Sequence, residues 1–388
     1  MIIKKIFNLT LLFCTLSLFH FSFFGFNFNK TGLIVHEWGT FTSTHSVDGQ
    51  LQTRQRFVGR TSFPKEVYTL VDTTLSKKDK ESLPFRTESG YSIEDGTEER
   101  AYHGISILND IVRMETPVLY FYTDKELTLD VNVIFPQGSI GEWYPQRNSG
   151  EKIMAENIEK TGLLTSSPDK SFKPIDLKNY QGSISWKAKV LPPTEKKSFT
   201  INTKSNEWLS PRMTDSNLVK IGNEIEKYIF YRGIASFDIP IQTKFKKNKN
   251  EKSLEFTNHS SEKIPFVFVL NNPTNDPKTK TVLWKGKLNP DEKQELKFNM
   301  LETIAFSENE IQEFKIALES EGLYPKEAEA MLNTWRKSYF ETKGITIFWI
   351  VPASLIQKLL PVEFSIKPDE FKRVFIGRIK IETKDNFK

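Results

Sequence analysis

Cysteine is almost missing from this chain. Cys14 is the only one in 388 residues, so the chain after residue 30 holds no disulfide and no thiolate chemistry. Metal sites built on cysteine pairs are excluded with it. Histidine is scarce as well, five in all, and none sits in an HExxH pattern. GxSxG, GxGxxG and the phosphate-cradling GxxxxGK[ST] run are also absent. Ser-x-x-Lys occurs at Ser62/Lys65, Ser149/Lys152, Ser167/Lys170 and Ser260/Lys263. The serine and lysine frequencies alone yield roughly three such pairs, so this pattern carries no weight.

Charge is the next absence. Residues 6–29 contain no Lys, Arg, Asp or Glu and are crowded with phenylalanine, after a basic start at Lys4 and Lys5. About 20 apolar residues at ~1.5 Å rise suffice to cross a ~30 Å hydrocarbon core. A cleaved secretory signal has a shorter apolar stretch, about 7–15 residues, and a small-x-small exit. Here the exit reads Phe24, Gly25, Phe26, Asn27, Phe28, Asn29. The expectation is a single-pass anchor over residues 6–28 that sends everything after Lys30 out of the cytoplasm. Lys4 and Lys5 then keep the N-terminus cytoplasmic. Cleavage to a secreted or periplasmic form is the alternative. The bulky Phe13 beside Cys14 argues against lipoprotein processing.

Setting aside Lys4, Lys5 and Lys30 leaves 51 of the 54 basic residues against 49 acidic ones, a net of +2. The basicity of the whole chain therefore owes much to the N-terminal segment, and no nucleic-acid partner is expected. The roughly 358 residues that follow suffice for two or three domains at about 100–200 residues each. Without disulfides, an exported fold of this size relies on its apolar core.

Most of that length reads as strand. Leu127, Leu129, Val131, Val133 and Phe135 alternate with Thr128, Asp130 and Asn132, the period of a half-buried strand. Leu33, Ile34 and Val35, and residues 114–122, are apolar runs of strand length. A short helix is read within 149–164 and a loop over 166–179. From residue 228 onward, short strands alternate with polar turns: strand over 253–257, turn over 258–261, strand over 264–270, then strand, turn and strand over 282–298. This spacing suggests a β-sandwich. The lysine-rich 244–252 stretch reads as a solvated hairpin tip. Ser307 with Glu310 forms a capping-box pattern opening a helix. Pro325 is a good first residue for a second helix, whose Ala328, Met331, Leu332, Trp335 and Tyr339 share one face. The fold expected is mainly β with a C-terminal α+β part, tandem β-sandwich-like regions plus a helical hairpin. The boundaries expected are an anchor or signal over 1–30, a β-rich domain over 31–200, an Ig-like sandwich region over 201–300 and an α+β region over 301–388.

Polar residues inside apolar strands carry what chemistry there is. His36 and Glu37 follow Val35 directly, Arg113 and Glu115 precede Pro117, Glu142 precedes Trp143, and Arg232 follows Tyr231. Buried charge is costly unless paired and hydrogen-bonded, so these groups must find one another or a ligand. One reading is a hydrolytic or metal site built from His36 or Glu37 with His103, Glu115, Glu142 and Arg232, since imidazole and carboxylates suit zinc or acid–base work. Neighbours on a strand point to opposite faces, so His36 and Glu37 cannot share one site. The plain reading is a buried Arg–Glu network such as Glu115 with Arg232, with His36 donating to a backbone carbonyl. His45 and His259 are read as exposed turn residues. Trp143 with Tyr144, and Phe348 with Trp349, are read as core or rim packing before a carbohydrate-binding face.

Several segments together resemble a family of uncharacterised exported bacterial proteins: His36-Glu-Trp-Gly-Thr-Phe41, Arg113-Met-Glu-Thr-Pro117, Glu142-Trp-Tyr-Pro145, Glu226-Lys-Tyr-Ile-Phe-Tyr-Arg-Gly233 and Arg373-Val-Phe-Ile-Gly-Arg378. The resemblance covers nearly all of the part after residue 30 and departs at residues 208–212, where the family carries an aromatic-rich stretch ending in Ala-Arg. It implies export and supplies no reaction, substrate or catalytic residue to carry over. The expectation for function is therefore a binding or structural role in the cell envelope, with the membrane met through residues 6–28 and a protein or polysaccharide as partner. The alternative is an envelope hydrolase with a His/Glu-based, metal-dependent or metal-free site. No cofactor is named by the sequence.

Overall fold

Strands buried on both faces need cover on both sides, and this chain builds its architecture around one such sheet. The computed structural model describes residues 30–51, 58–60, 67–70, 99–101, 109–152, 173, 175–198, 209–247, 252–274 and 277–381. Thr31–Lys388 form one compact unit. The expected anchor lies outside the described residues. Among the described residues, no helix is long and apolar enough to cross a membrane.

The main sheet has ten strands, in the order Ile304–Ala305, Thr281–Leu288, Ile264–Asn272, Gly344–Val351, Glu370–Ile381, Ile34–His45, Val112–Tyr122, Ile229–Ala235, Gly138–Tyr144 and Tyr68–Thr69. It draws strands from each of the stretches 31–200, 201–300 and 301–388. Ile34–His45 and Glu370–Ile381 run parallel at its centre, Glu37 opposite Arg373 and Thr42 opposite Arg378. On its other side Ile34–His45 pairs antiparallel with Val112–Tyr122, with a bulge between Trp38 and Thr40. Asp369 fixes the entry to the central strand. Its carboxylate accepts the Thr31 amide (2.9 Å) and the Gly32 amide (2.8 Å), while its own amide donates to the Leu33 carbonyl (2.8 Å).

One face of the large sheet packs on two smaller ones. A further sheet runs Glu224–Glu226, Val219–Ile221, Gly182–Val190, Leu127–Phe135 and Val362–Phe364, with Ser149–Gly150 beside Gly182–Val190. In Leu127–Phe135 the expected alternation is realised: Leu129, Val131, Val133 and Phe135 are buried, while Thr128 and Asp130 face solvent. These side chains meet Leu119, Phe121, Trp143 and Tyr231 of the large sheet in one core. The same core takes Leu254, Phe256 and Leu296 from a three-stranded sheet of Ile241–Lys247, Lys252–Asn258 and Lys293–Lys297.

The strand–turn–strand repeats read from residue 253 onward differ in one respect from simple hairpins. Lys252–Asn258 and Ile264–Asn272 belong to different sheets, and so do Thr281–Leu288 and Lys293–Lys297. Each turn carries the chain from one layer to the other, because the apolar sides of both strands are buried between layers and not edge to edge. Asn258 makes the corner. Its side chain donates to the carbonyls of Glu262 (2.8 Å) and Asn289 (3.1 Å) and accepts the Ser260 amide (2.9 Å). The fold is thus mainly β, with sandwich-like layers and a C-terminal α+β part.

The opposite face of the large sheet is covered by the helical hairpin Glu308–Ser320 and Pro325–Phe340. Ser307 and Glu310 close the expected capping box, the Ser307 amide donating to Glu310 (2.9 Å). Phe314, Leu318, Ala328, Met331, Leu332, Trp335 and Tyr339 pack on Trp38, Val118, Tyr120, Phe348 and Val374. Trp143, Phe348 and Trp349 are core residues, so these aromatics offer no carbohydrate-binding face. Of the helix read within 149–164, residues 149–150 are strand and 153–164 lie outside the described residues. Within the loop read over 166–179, residues Leu177–Asn179 form a short 3-10 turn capped by Asp176.

Gly377 tests the closeness of this packing. A β-carbon there would lie 2.0 Å from the Trp349 ring, closer than any side chain allows. Gly377→Ala should lower unfolding stability by about 1–3 kcal/mol, the usual cost of overpacking a filled core, as read from the denaturant midpoint of the full-length chain. A neutral outcome would show that the Trp349 ring moves freely.

Candidate functional site

The period of a strand sends His36 and Glu37 to opposite faces of the central sheet, and each meets a different environment. His36 faces the helical hairpin and is fully buried. Its Nδ1 lies 2.8 Å from Glu327 of Pro325–Phe340, and its Nε2 lies 3.3 Å from Glu370. Glu327 is placed by the helix start, since its position three residues after Tyr324 brings its carboxylate back onto the Tyr324 amide (2.8 Å). It also accepts the Tyr122 hydroxyl at 2.5 Å. Burial, with the Glu327 charge, holds the Tyr122 phenol well above the ordinary tyrosine range. The His36 and Tyr324 rings lie 4.4 Å apart. His36 therefore bonds carboxylates where a backbone carbonyl was expected.

Glu37 points into the inter-sheet core and is also fully buried. It accepts Arg373 Nε at 2.5 Å and the Tyr231 hydroxyl. Arg373 is its register partner on the adjoining parallel strand, and its Nη1 donates to Gln357 (3.1 Å). Burial, then the Glu37 charge, pushes the Tyr231 phenol well up.

Glu115, Glu142 and Arg232 do come together, at the far end of the helix-facing side. Arg232 stands opposite Glu142 in register, with Nη1 3.5 Å from the Glu142 carboxylate and Nη2 3.7 Å from Glu115. Thr42 donates to Glu115 at 2.7 Å. Arg378 and Arg113, the register partners of Thr42 on its two flanking strands, lie 3.9 Å and 4.0 Å from Glu115. Glu115, Glu142, Arg232 and Arg378 are all buried. The expected Glu115–Arg232 pairing is present within this larger network, whose members Thr42 and Arg378 sequence reasoning missed. His103 lies outside the described residues. Among the described residues, no three His, Cys, Asp or Glu side chains are arranged to hold a metal ion.

Among the described residues the candidates thus fall into three separate buried clusters, and none of them lines a polar cavity found elsewhere in the protein. That cavity, about 1120 Å³, lies where the turn after the central strand, the connector 236–240, the 259–262 loop and the Ala353–Leu359 helix meet. Its lining is mostly polar, with carboxylates such as Asp48 and Asp238 interspersed with Lys178, Lys244 and Lys358. His45 forms part of the wall. It is 4 % exposed, and not the exposed turn residue expected, because the central strand continues through it before turning. Thr243 Oγ1 lies 3.1 Å from its Nδ1 and Ser43 Oγ 3.2 Å from its Nε2. Burial lowers its pKa to about 4, so the ring is neutral near pH 7. His259 is exposed, as expected.

A second group has an unusual titration. Glu151 accepts the Tyr180 hydroxyl (2.6 Å), the Ser139 hydroxyl (3.2 Å) and the Ile140 amide. Burial outweighs these bonds and raises its pKa to about 7.

No protein-family model matches the chain, and no curated protein matches it. Similar solved structures include the yeast delta-COP-I mu-homology domain, at 8% identity and a TM-score of 0.28 over 91% of this chain and 96% of that one. The same yeast domain complexed with a Dsl1 WxWxV peptide gives 9% identity, the same TM-score and the same coverage. At that score the likeness carries no argument about this protein.

The two shifted groups set opposite pH trends. Between about pH 4.5 and 7 folded Glu151 keeps a proton that the unfolded chain has shed, so its contribution falls by up to about 3 kcal/mol as pH rises. Between about pH 6.5 and 4 the unfolded chain binds a proton that buried His45 refuses, so stability falls by up to about 3 kcal/mol as pH drops. We expect Glu151→Gln to remove the first trend and His45→Gln the second, measured as unfolding free energy against pH. Parallel curves for the natural chain and both variants would contradict this.

Proposed function

We propose that the protein is an exported binding protein of the cell envelope, held at the membrane by residues 6–28 and taking a protein or polysaccharide partner. The observation that carries the binding reading is the polar cavity near His45, whose volume of about 1120 Å³ exceeds the ~300–1,000 Å³ of ordinary small-molecule pockets. The candidate acids support it in a different way. Glu37, Glu115 and Glu142 are engaged by buried arginines, an arrangement that suits a rigid scaffold better than proton transfer to a substrate. Export rests on the apolar, charge-free opening and on the resemblance to exported bacterial proteins.

One observation favours the second reading, an envelope hydrolase. Both ring nitrogens of His36 meet carboxylates, and one of these, Glu370, is 44% exposed, so the imidazole is oriented as a general acid or base would be. Two measurements on material from the native cell separate these readings. The full-length chain should sediment with membranes and resist alkaline extraction, and its purified form should hold no stoichiometric transition metal. Recovery from the cytosol with Met1 intact would overturn the envelope reading. A stoichiometric metal lost in His36→Ala would favour the hydrolase.

A further inference from the structure

The cavity near His45 has a chemistry that narrows its ligand. Glu255 on its wall is occupied by Lys293 (2.7 Å) and Lys246 (2.9 Å), and Glu262 accepts from Ser354. Asp238, Lys244 and Lys358 also line it and are exposed. Among the described residues these three make no ion pair with one another or with a neighbour, so charges of both signs are presented to whatever enters. A rim of mixed sign does not attract a polyanion such as nucleic acid or polyphosphate, for which a field of one sign is needed.

A pyranose ring fits no better. Sugar faces pack on aromatic planes, and the one aromatic side chain of the described lining is Phe237, which is half-buried and meets Phe41 edge-on (5.4 Å, 69°). The walls are held in place before any ligand arrives. Asn258 pins the 259–262 loop through the Ser260 amide and the Glu262 carbonyl. On the opposite side the Phe245 amide donates to the Val47 carbonyl (2.8 Å), and Gly49 lies so close to Thr243 that a β-carbon would overlap its carbonyl oxygen. A preformed wall spares a flexible ligand part of the ordering cost of binding.

We infer that this cavity binds a polypeptide segment carrying both acidic and basic side chains, its cations set against Asp238 and its carboxylates against Lys244 and Lys358. This inference rests on the reading of the protein as a binding protein and specifies its partner.

The test uses the full-length chain in detergent micelles and three probes: peptides selected from a phage-displayed random dodecapeptide library, a chito-oligosaccharide, and inorganic polyphosphate. Selected peptides should carry both charge signs and should slow amide exchange in segments 236–244 and 259–262. Their affinity should fall at least about tenfold in Asp238→Lys and in Lys244→Glu, each of which turns a rim attraction into repulsion. Both side chains are exposed, and unchanged unfolding midpoints confirm that the variants fold; Lys358→Glu replaces either one that does not. Peptides that bind the variants undiminished, or that protect another surface, overturn the inference. Protection of the same segments by the oligosaccharide or polyphosphate, and not by peptides, overturns the ligand class and leaves the binding reading standing. Protection by none of the three overturns both.

Discussion

The central strand Ile34–His45 is covered on both faces, and its sequence nevertheless carries ionisable side chains. Two of them, His36 and Glu37, are adjacent and must find their polar partners in opposite directions. An isolated charge in such a place is prohibitively costly, while a paired and hydrogen-bonded one is tolerated. The fold answers with one partner set per face: Glu327, Glu370 and Tyr122 on the helix side, Arg373 and Tyr231 on the sandwich side. The parallel pairing with Glu370–Ile381 makes this possible, because it brings Arg373 level with Glu37 and Arg378 level with Thr42. Residues from the two ends of the described chain thereby lock the middle of the sheet.

This arrangement keeps the buried ionisable residues apart from the open polar cavity. The buried acids are engaged by arginine, tyrosine and histidine, and the helical hairpin seals the face that carries His36. The open polar volume lies instead at the end of the same strand, where Ile34–His45 leaves the sheet and the layers diverge. Sandwich-like layers joined by interlayer turns leave such a space naturally, since turns such as 258–263 must climb from one sheet to the next. A rigid body with a preformed polar cavity suits recognition of a partner.

Much of this was legible in the sequence, and the reasons are local ones. The alternation in Leu127–Phe135, the Ser307–Glu310 cap and Pro325 each declare themselves within a few residues, because hydrogen bonds and burial periods there are set by neighbours in the chain. The divergence of His36 and Glu37 follows from strand geometry alone. The identity of their partners does not: Glu327 lies 291 residues from His36 and Arg373 lies 336 residues from Glu37, and only the sheet order brings them together. His45 misleads because the Thr44 and Ser46 beside it suggest a turn, whereas the central strand runs through His45 before the chain turns. The cavity has no local signature, being assembled from six distant segments.

The central claim is that Glu37 and Arg373 hold each other inside the protein and so fix the parallel pair on which the sheet is built. A double-mutant cycle with Glu37→Gln, Arg373→Met and the double variant, followed by denaturant unfolding of the full-length chain, tests it directly. The account requires a coupling energy of about 1–3 kcal/mol, as found for contacting members of a buried network. A coupling near zero, with the two single losses simply adding, would mean that the two charges are satisfied elsewhere.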